Sequence, residues 1–133
     1  MKAVKQKHLL GCAVACVAFL ANTEYEKALE LFDDGENKAA TKGFFCKEIV
    51  TALKKVHLNY EYRYVMKKDI ETIKDDGMIV YIKKSPNHPG GHYLCWKHNK
   101  WMDSWVNYPS LEVQAGFHEN LPGKAQYAII RTD

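Results

Sequence analysis

Cys12 follows a glycine and opens the apolar part of the segment 6–21, and Gln6 stands upstream of it. A thiol at the start of a helix meets unpaired backbone N–H groups and the positive end of the helix dipole, and both favour thiolate over thiol. The same N–H groups hold an oxyanion. Gln6, folded back over the helix, adds a second neutral donor where a tetrahedral intermediate develops charge. Such a nucleophile needs a base and something to orient it. His92 opens an apolar run directly after Gly90-Gly91, and Asp103 lies on the run after that. A turn centred between His98 and Asn99 sets His92 opposite Trp105. Asp103, an even offset away, then shares their face, because side chains alternate along strands. An imidazole beside the thiol takes its proton and later protonates the leaving group, while a carboxylate fixes the tautomer and steadies the charged ring. Cys12, His92 and Asp103 are the candidate triad, with Gln6 as oxyanion donor.

These residues need a helix on one side and a hairpin on the other. Residues 23–32 repeat apolar positions at helical spacing behind Thr23-Glu24, and Asp33-Asp34-Gly35 ends the pattern. The stretch 36–42 is polar and is expected to be a loop. Residues 43–57 carry Phe44, Phe45, Ile49, Val50, Leu53 and Val56 on one side of a third helix. Past Leu58 the period shortens to two. Strands are expected at 60–65, 78–82, 92–97, 100–106 and 125–132, with a short helical turn within 67–74. Residues 85–91 hold two prolines and two glycines and form a loop before His92. The segment 111–123 shows no regular pattern. Helices first and an antiparallel sheet after them make an α+β domain.

The whole chain, 133 residues, is expected to form a single domain. Its net charge of +3 arises from interleaved basic and acidic residues with no basic stripe, which sets nucleic acid aside as a partner. No stretch approaches the roughly 18 apolar residues of a membrane span. The four cysteines, Cys12, Cys16, Cys46 and Cys95, fall mostly inside apolar patterns and suit reduced thiols in a cytoplasm better than a disulfide framework. Lys2, Lys5 and Lys7 before residues 9–21 give a competing reading as an export signal, with Leu9-Leu10-Gly11-Cys12 as a lipoprotein cleavage box. Most of the apolar run follows the cysteine instead of preceding it, so the export reading is the alternative and a cytoplasmic location the expectation.

With these residues in place the chain resembles the papain-like cysteine peptidases, and most closely the branch that removes double-glycine leader peptides from bacteriocins. The Gln6-to-Cys12 interval, Ala15-Cys16 after the nucleophile, Thr41-Lys42-Gly43 at a helix start, the run 78–82 after an Asp-Gly turn and the run 92–96 from His92 all have counterparts there. The resemblance spans residues 6–105. Ala13 stands where the family usually has glycine, and Ser104 where it commonly has proline after the acid. Asn107, an amide of the kind other papain-like enzymes use to orient the histidine, is the alternative to Asp103, which the alternation argument prefers. The resemblance implies a papain-like fold with N-terminal helices packed on a C-terminal sheet. It also implies a hydrolase that cleaves a peptide or isopeptide bond in a peptide or protein substrate, without metal or organic cofactor. The same machinery runs acyl transfer and deamidation, and some relatives keep the fold as a peptide-binding module without turnover. The oligomeric state is not written in these residues.

Plainer roles are assigned elsewhere. Cys16, one helical turn from Cys12, is expected in the core. A zinc site from Cys12, Cys16 and His92 is set aside for want of a further ligand at suitable spacing. His8, His57, His88, His98 and His118 fall in loops or at element ends and are expected to be solvated, with His88 placed to line the cleft. Trp101, on the face of Asp103, is a candidate shield for the His–Asp hydrogen bond or a simple packing residue.

Overall fold

The computed structural model describes residues 2–132. Five helices and six strands run in the order α1 (Cys12–Ala21), α2 (Tyr25–Leu29), α3 (Gly35–Thr41), α4 (Cys46–Lys54), β1 (Tyr60–Tyr64), α5 (Ile70–Ile73), β2 (Met78–Ile82), β3 (His92–Lys97), β4 (Lys100–Asp103), β5 (Gly116–His118) and β6 (Ala125–Arg131). The strands form one sheet in the order β1-β6-β2-β3-β4-β5, and each neighbouring pair is antiparallel. This is the expected α+β arrangement.

The apolar run after Cys12 becomes the central helix. Residues 13–19 of α1 are all buried, because a helix apolar on every side must be covered on every side. One wall of its enclosure is α2 and α4, and the other is the sheet face that carries Ile79, Tyr93, Cys95, Met102 and Ile129. The opposite sheet face has its own core of Met78, Val80, Ile82, Leu94, Trp101 and Ala128. The continuous run Met78–Ile82 reads correctly as an interior strand, since both faces are covered.

Four expectations are corrected. The polar stretch 36–42 is helical: Asp34 turns the chain with a left-handed φ of 53°, and α3 then buries Gly35 and Ala39. Its sequence lacks an apolar stripe because it covers the core with two small residues only. In the segment expected as one helix over 43–57, Phe44 and Phe45 precede the helix. Glu48 accepts the Phe45 N–H at 2.7 Å and so starts α4 one residue later, Phe44 packs on Phe32 at 4.5 Å between ring centroids, and Phe45 is left 80% exposed. Finally, the irregular stretch 111–123 contains β5, a three-residue strand whose existence depends on pairing with β4. The helix expected over 23–32 is also shorter, confined to Tyr25–Leu29.

Candidate active site

His98 and Asn99 adopt left-handed φ values of 53° and 64°, the geometry of a two-residue hairpin turn. The turn sets Cys95 opposite Met102, Trp96 opposite Trp101 and Lys97 opposite Lys100, the register inferred from sequence. Asp103 therefore shares a face with Trp101, Trp96 and Leu94, and with His92 at the beginning of β3. Diagonal neighbours across a ladder are within reach of longer side chains. The His92 Nε2 lies 2.6 Å from Asp103 Oδ1, with both side chains buried.

That face is the one turned away from α1. His92 nonetheless meets Cys12, because it is the first residue of its strand and stands at the end of the sheet, where the N-terminus of α1 also ends. Since Nε2 is engaged with Asp103, Nδ1 is the ring nitrogen left for the thiol. Burial raises the Cys12 pKa, but the charge of His92, its hydrogen bond, and the Tyr93 and Ala13 N–H groups outweigh that and hold it below the ordinary thiol value. Burial by itself would lower the His92 pKa; the Cys12 thiolate and the Asp103 hydrogen bond carry it the other way, to about 10. Burial likewise opposes ionisation of Asp103, yet hydrogen bonds from His92, the Trp105 N–H and His118 hold it well below the usual carboxylate range. Cys12, His92 and Asp103 thus stand in one row, and the shift of each favours its charged form.

Each of the first two members comes after a glycine with a structural reason. A Cβ on Gly91, whose φ is +74°, would lie 2.0 Å from the Tyr81 hydroxyl, and that hydroxyl donates to the Gly90 carbonyl at 2.9 Å. A Cβ on Gly11 would lie 2.1 Å from the hydroxyl of Tyr25, which is bonded to His8 Nδ1 at 2.9 Å. Two tyrosines thus fill the space that side chains would need immediately before Cys12 and His92. The Cys12 loop is tied down further by the Leu10 N–H, which donates to the Ala39 carbonyl of α3 at 2.8 Å.

Gln6 is buried beside this row. Its N–H donates to the Ser104 carbonyl at 3.2 Å, and its Oε1 accepts the Ser104 hydroxyl at 2.7 Å. Ser104, in the position where proline was expected by resemblance, therefore ties the Gln6 segment to the residue next to Asp103. The two hydrogens of Gln6 Nε2 point to the carbonyls of His8 and Leu9, at 2.9 and 3.0 Å. Asn107 spends its carboxamide on the adjoining loop, donating to the Glu112 carbonyl and accepting the Gln114 N–H, each at 2.9 Å.

Sequence reasoning missed one neighbour. His118, expected to be solvated, places its Nε2 2.7 Å from Asp103 Oδ2. The signal was weak: Gly116-Phe117-His118 is too short to show alternation. His88, expected to line the cleft, stacks on His92 at 5.0 Å and nearly parallel, and Tyr108 stacks on His88 at 5.6 Å. Trp101 is fully in the second core and packs on Trp96 at 5.1 Å. A groove of about 740 Å³ runs past Gln6, lined among others by His8, Leu9, Trp105, Leu111 and Gln114; Cys12, His92 and Asp103 do not line it.

No family model matches this chain, and no curated protein matches it. Among solved structures it is similar to the peptidase domain of Streptococcus ComA, a bi-functional ABC transporter involved in a quorum sensing pathway. The two share 21% identity over 96% of this chain and 95% of that one, with a TM-score of 0.58. The chain has the papain-like fold of that peptidase domain, in agreement with the resemblance carried by its motifs. Among the described residues no helix is long and apolar enough to cross a membrane.

Proposed function

We propose that the protein is a cysteine hydrolase that cleaves a peptide or isopeptide bond. The observation that carries this reading is the thiol of Cys12 at the N-terminus of α1, held against a His92 whose far nitrogen is bonded to Asp103. The Cys12 thiolate attacks the carbonyl carbon, forming a C–S bond while the carbonyl π electrons move to oxygen. The Cys12 N–H is the first of α1 and has no carbonyl one turn back within the helix, so it is aimed at that oxyanion. Collapse of the intermediate expels the amine, which takes a proton from His92. Water then attacks the thioester, His92 accepts its proton, and the acid leaves as Cys12 regains the thiolate. Asp103 keeps the imidazole oriented and its cation stable throughout.

Gln6 acts as the second oxyanion donor in this scheme, exchanging its bond to the His8 or Leu9 carbonyl for one to the intermediate. An extended peptide occupies the groove beside Gln6 and Trp105. The free thiols of all four cysteines favour a reducing compartment such as the cytoplasm. A second reading, a peptide-binding module without turnover, is favoured by one observation: both amide hydrogens of Gln6 are already committed. Acyl transfer and deamidation use the same row of residues.

The test is a mixture of peptides from a digested proteome, incubated with the protein and searched by mass spectrometry for new termini. Cleavage in the wild type and none in Cys12→Ala is expected. A Cys12 that alkylates rapidly below pH 7 while no peptide is cut turns the reading toward transfer or deamidation. A Cys12 that reacts only near the ordinary thiol pKa overturns it.

A further inference from the structure

Asp103 is held from two sides. On β3 its partner is His92; on β5, the strand at the other edge of β4, its partner is His118. The β4–β5 register sets His118 opposite Trp101 and Gly116 opposite Asp103, so His118 is a diagonal neighbour of Asp103 on the same face as His92. The carboxylate thus has Oδ1 filled by His92 Nε2 at 2.6 Å and the Trp105 N–H at 2.9 Å, and Oδ2 filled by His118 Nε2 at 2.7 Å. Its side chain is 2% exposed, and that of His118 26%. Water does not reach Oδ2 freely, and a buried carboxylate oxygen without a donor is costly enough to protonate or turn the group.

We propose that His118 is a positioning residue of the same site, whose Nε2–H satisfies Asp103 Oδ2 and keeps Oδ1 aimed at His92. The inference rests on the cysteine-hydrolase reading and deepens it, extending the row to Cys12, His92, Asp103 and His118. The charge that stabilises the Cys12 thiolate then depends on a residue on the sheet's edge strand. Loss of the His118 donor leaves Oδ2 buried without a partner while the His92 and Trp105 donors stay on Oδ1, so the carboxylate turns from its place, its hold on the His92 cation weakens, and Cys12 loses part of its counter-charge. Other titratable groups facing this row are His88, stacked on His92, the hydroxyls of Tyr25, Tyr81 and Tyr93 near Cys12, and Cys16 on α1, whose thiol is disfavoured as an anion first by burial and then by Cys95, Cys12 and Asp103. Beside His118 on the outer side, Glu119 pairs with Lys100 at 3.2 Å.

The experiment is the rate of Cys12 alkylation by iodoacetamide against pH, read by peptide mapping, in the wild type, His118→Ala, His118→Gln and His118→Asn. Thermal melting of each variant is followed in parallel. In His118→Ala the acid limb of the Cys12 profile is expected to move up by about one pH unit, a roughly tenfold loss of rate at pH 5.5. Glutamine offers an N–H at about the reach of Nε2 and restores most of the wild-type profile; asparagine is too short and behaves as alanine. A merely structural histidine would lower the melting temperature without moving the limb, and glutamine would rescue no better than asparagine. Superimposable profiles for wild type and His118→Ala, or equal profiles for Gln and Asn, overturn the inference. Should His118→Ala fail to fold, the Gln–Asn pair alone decides. A wild-type Cys12 that lacks reactivity below pH 7 overturns the hydrolase reading itself, an outcome separate from these.

Discussion

Cys12 and Cys16 stand one turn apart on α1, and the protein treats their thiols in opposite ways. Burial raises the pKa of both. At Cys12 the charge and hydrogen bond of His92, with two backbone N–H groups, reverse that effect. At Cys16 nothing reverses it: Cys95, Cys12 and Asp103 contribute only negative charge, and the thiol is pushed well above its ordinary value. The difference shows that enclosure in this core works against a reactive thiol. What makes one is position at the end of the helix, where unpaired N–H groups and the end of the sheet converge. The same helix carries the proposed nucleophile in its first turn and a core element in its second.

Removing the counter-charge tests this contrast most severely. His92→Ala leaves Cys12 with its burial and without its cation, so its alkylation midpoint is expected to rise from below to above the ordinary thiol value and approach that of Cys16. Loss of general acid and base in the proposed cleavage is expected to cost about 10²–10⁴-fold in rate. Titration of both cysteines by alkylation and peptide mapping reads the first effect directly. An unchanged Cys12 midpoint would mean that the helix terminus, and not His92, sets the thiol apart.

Asp103→Asn acts one step further out and is expected to slow the proposed reaction by about 100-fold or more, because a neutral amide neither stabilises the imidazolium nor holds its tautomer. Its stability effect has a defined pH window. The depressed Asp103 contributes stability above its unfolded pKa of about 3.9, and that contribution is lost as pH falls through the folded value. The raised His92 contributes fully below its unfolded pKa of about 6.5 and loses its contribution as pH rises toward 10. Urea midpoints of wild type and Asp103→Asn should therefore differ most between about pH 4 and 6.5. A difference that grew steadily toward pH 9 would contradict the ion-pair account.

Gly91→Ala asks whether the sheet side of the comparison is held by its backbone. The left-handed φ and the Tyr81 hydroxyl at the Cβ position together predict a loss of about 1–3 kcal/mol, measured by chemical denaturation, with a rise in the Cys12 alkylation midpoint as His92 shifts. The smallest effect belongs to the other cysteine. Cys16→Ala should cost about 1 kcal/mol in packing and leave the Cys12 profile where it was. Movement of that profile would mean that the two turns of α1 are not independent.

The hairpin was legible in detail. His98-Asn99 allowed one turn geometry, and parity along two strands placed His92 and Asp103 on a common face. The start of α1 was equally legible, from a glycine, a cysteine and an apolar run. Less regular stretches were not. α3 buries only Gly35 and Ala39 and shows no helical stripe, while Phe45 completed an apolar stripe on paper and lies in solvent. Two histidines were misjudged: His8 and His118 have specific partners where solvent was expected, whereas His88, expected to line the cleft, stacks on His92. A three-residue strand has too little periodicity to announce itself, so β5 and the histidine it carries were invisible.

Residue order alone was enough for the features that local backbone geometry dictates: where the central helix begins, where the chain reverses, and which side chains share a face. Those are consequences of 3.6-residue and two-residue periods and of a turn that few residue pairs adopt. Tertiary packing had to supply the rest. It brought the sheet's end to the helix's N-terminus, turned the amide hydrogens of Gln6 to His8 and Leu9, and shared Asp103 between two histidines. The first and last of these join segments far apart in the chain, and Ser104 bonds the Gln6 carboxamide from across the fold. Such contacts are set by which surfaces bury one another, a quantity that no local pattern encodes.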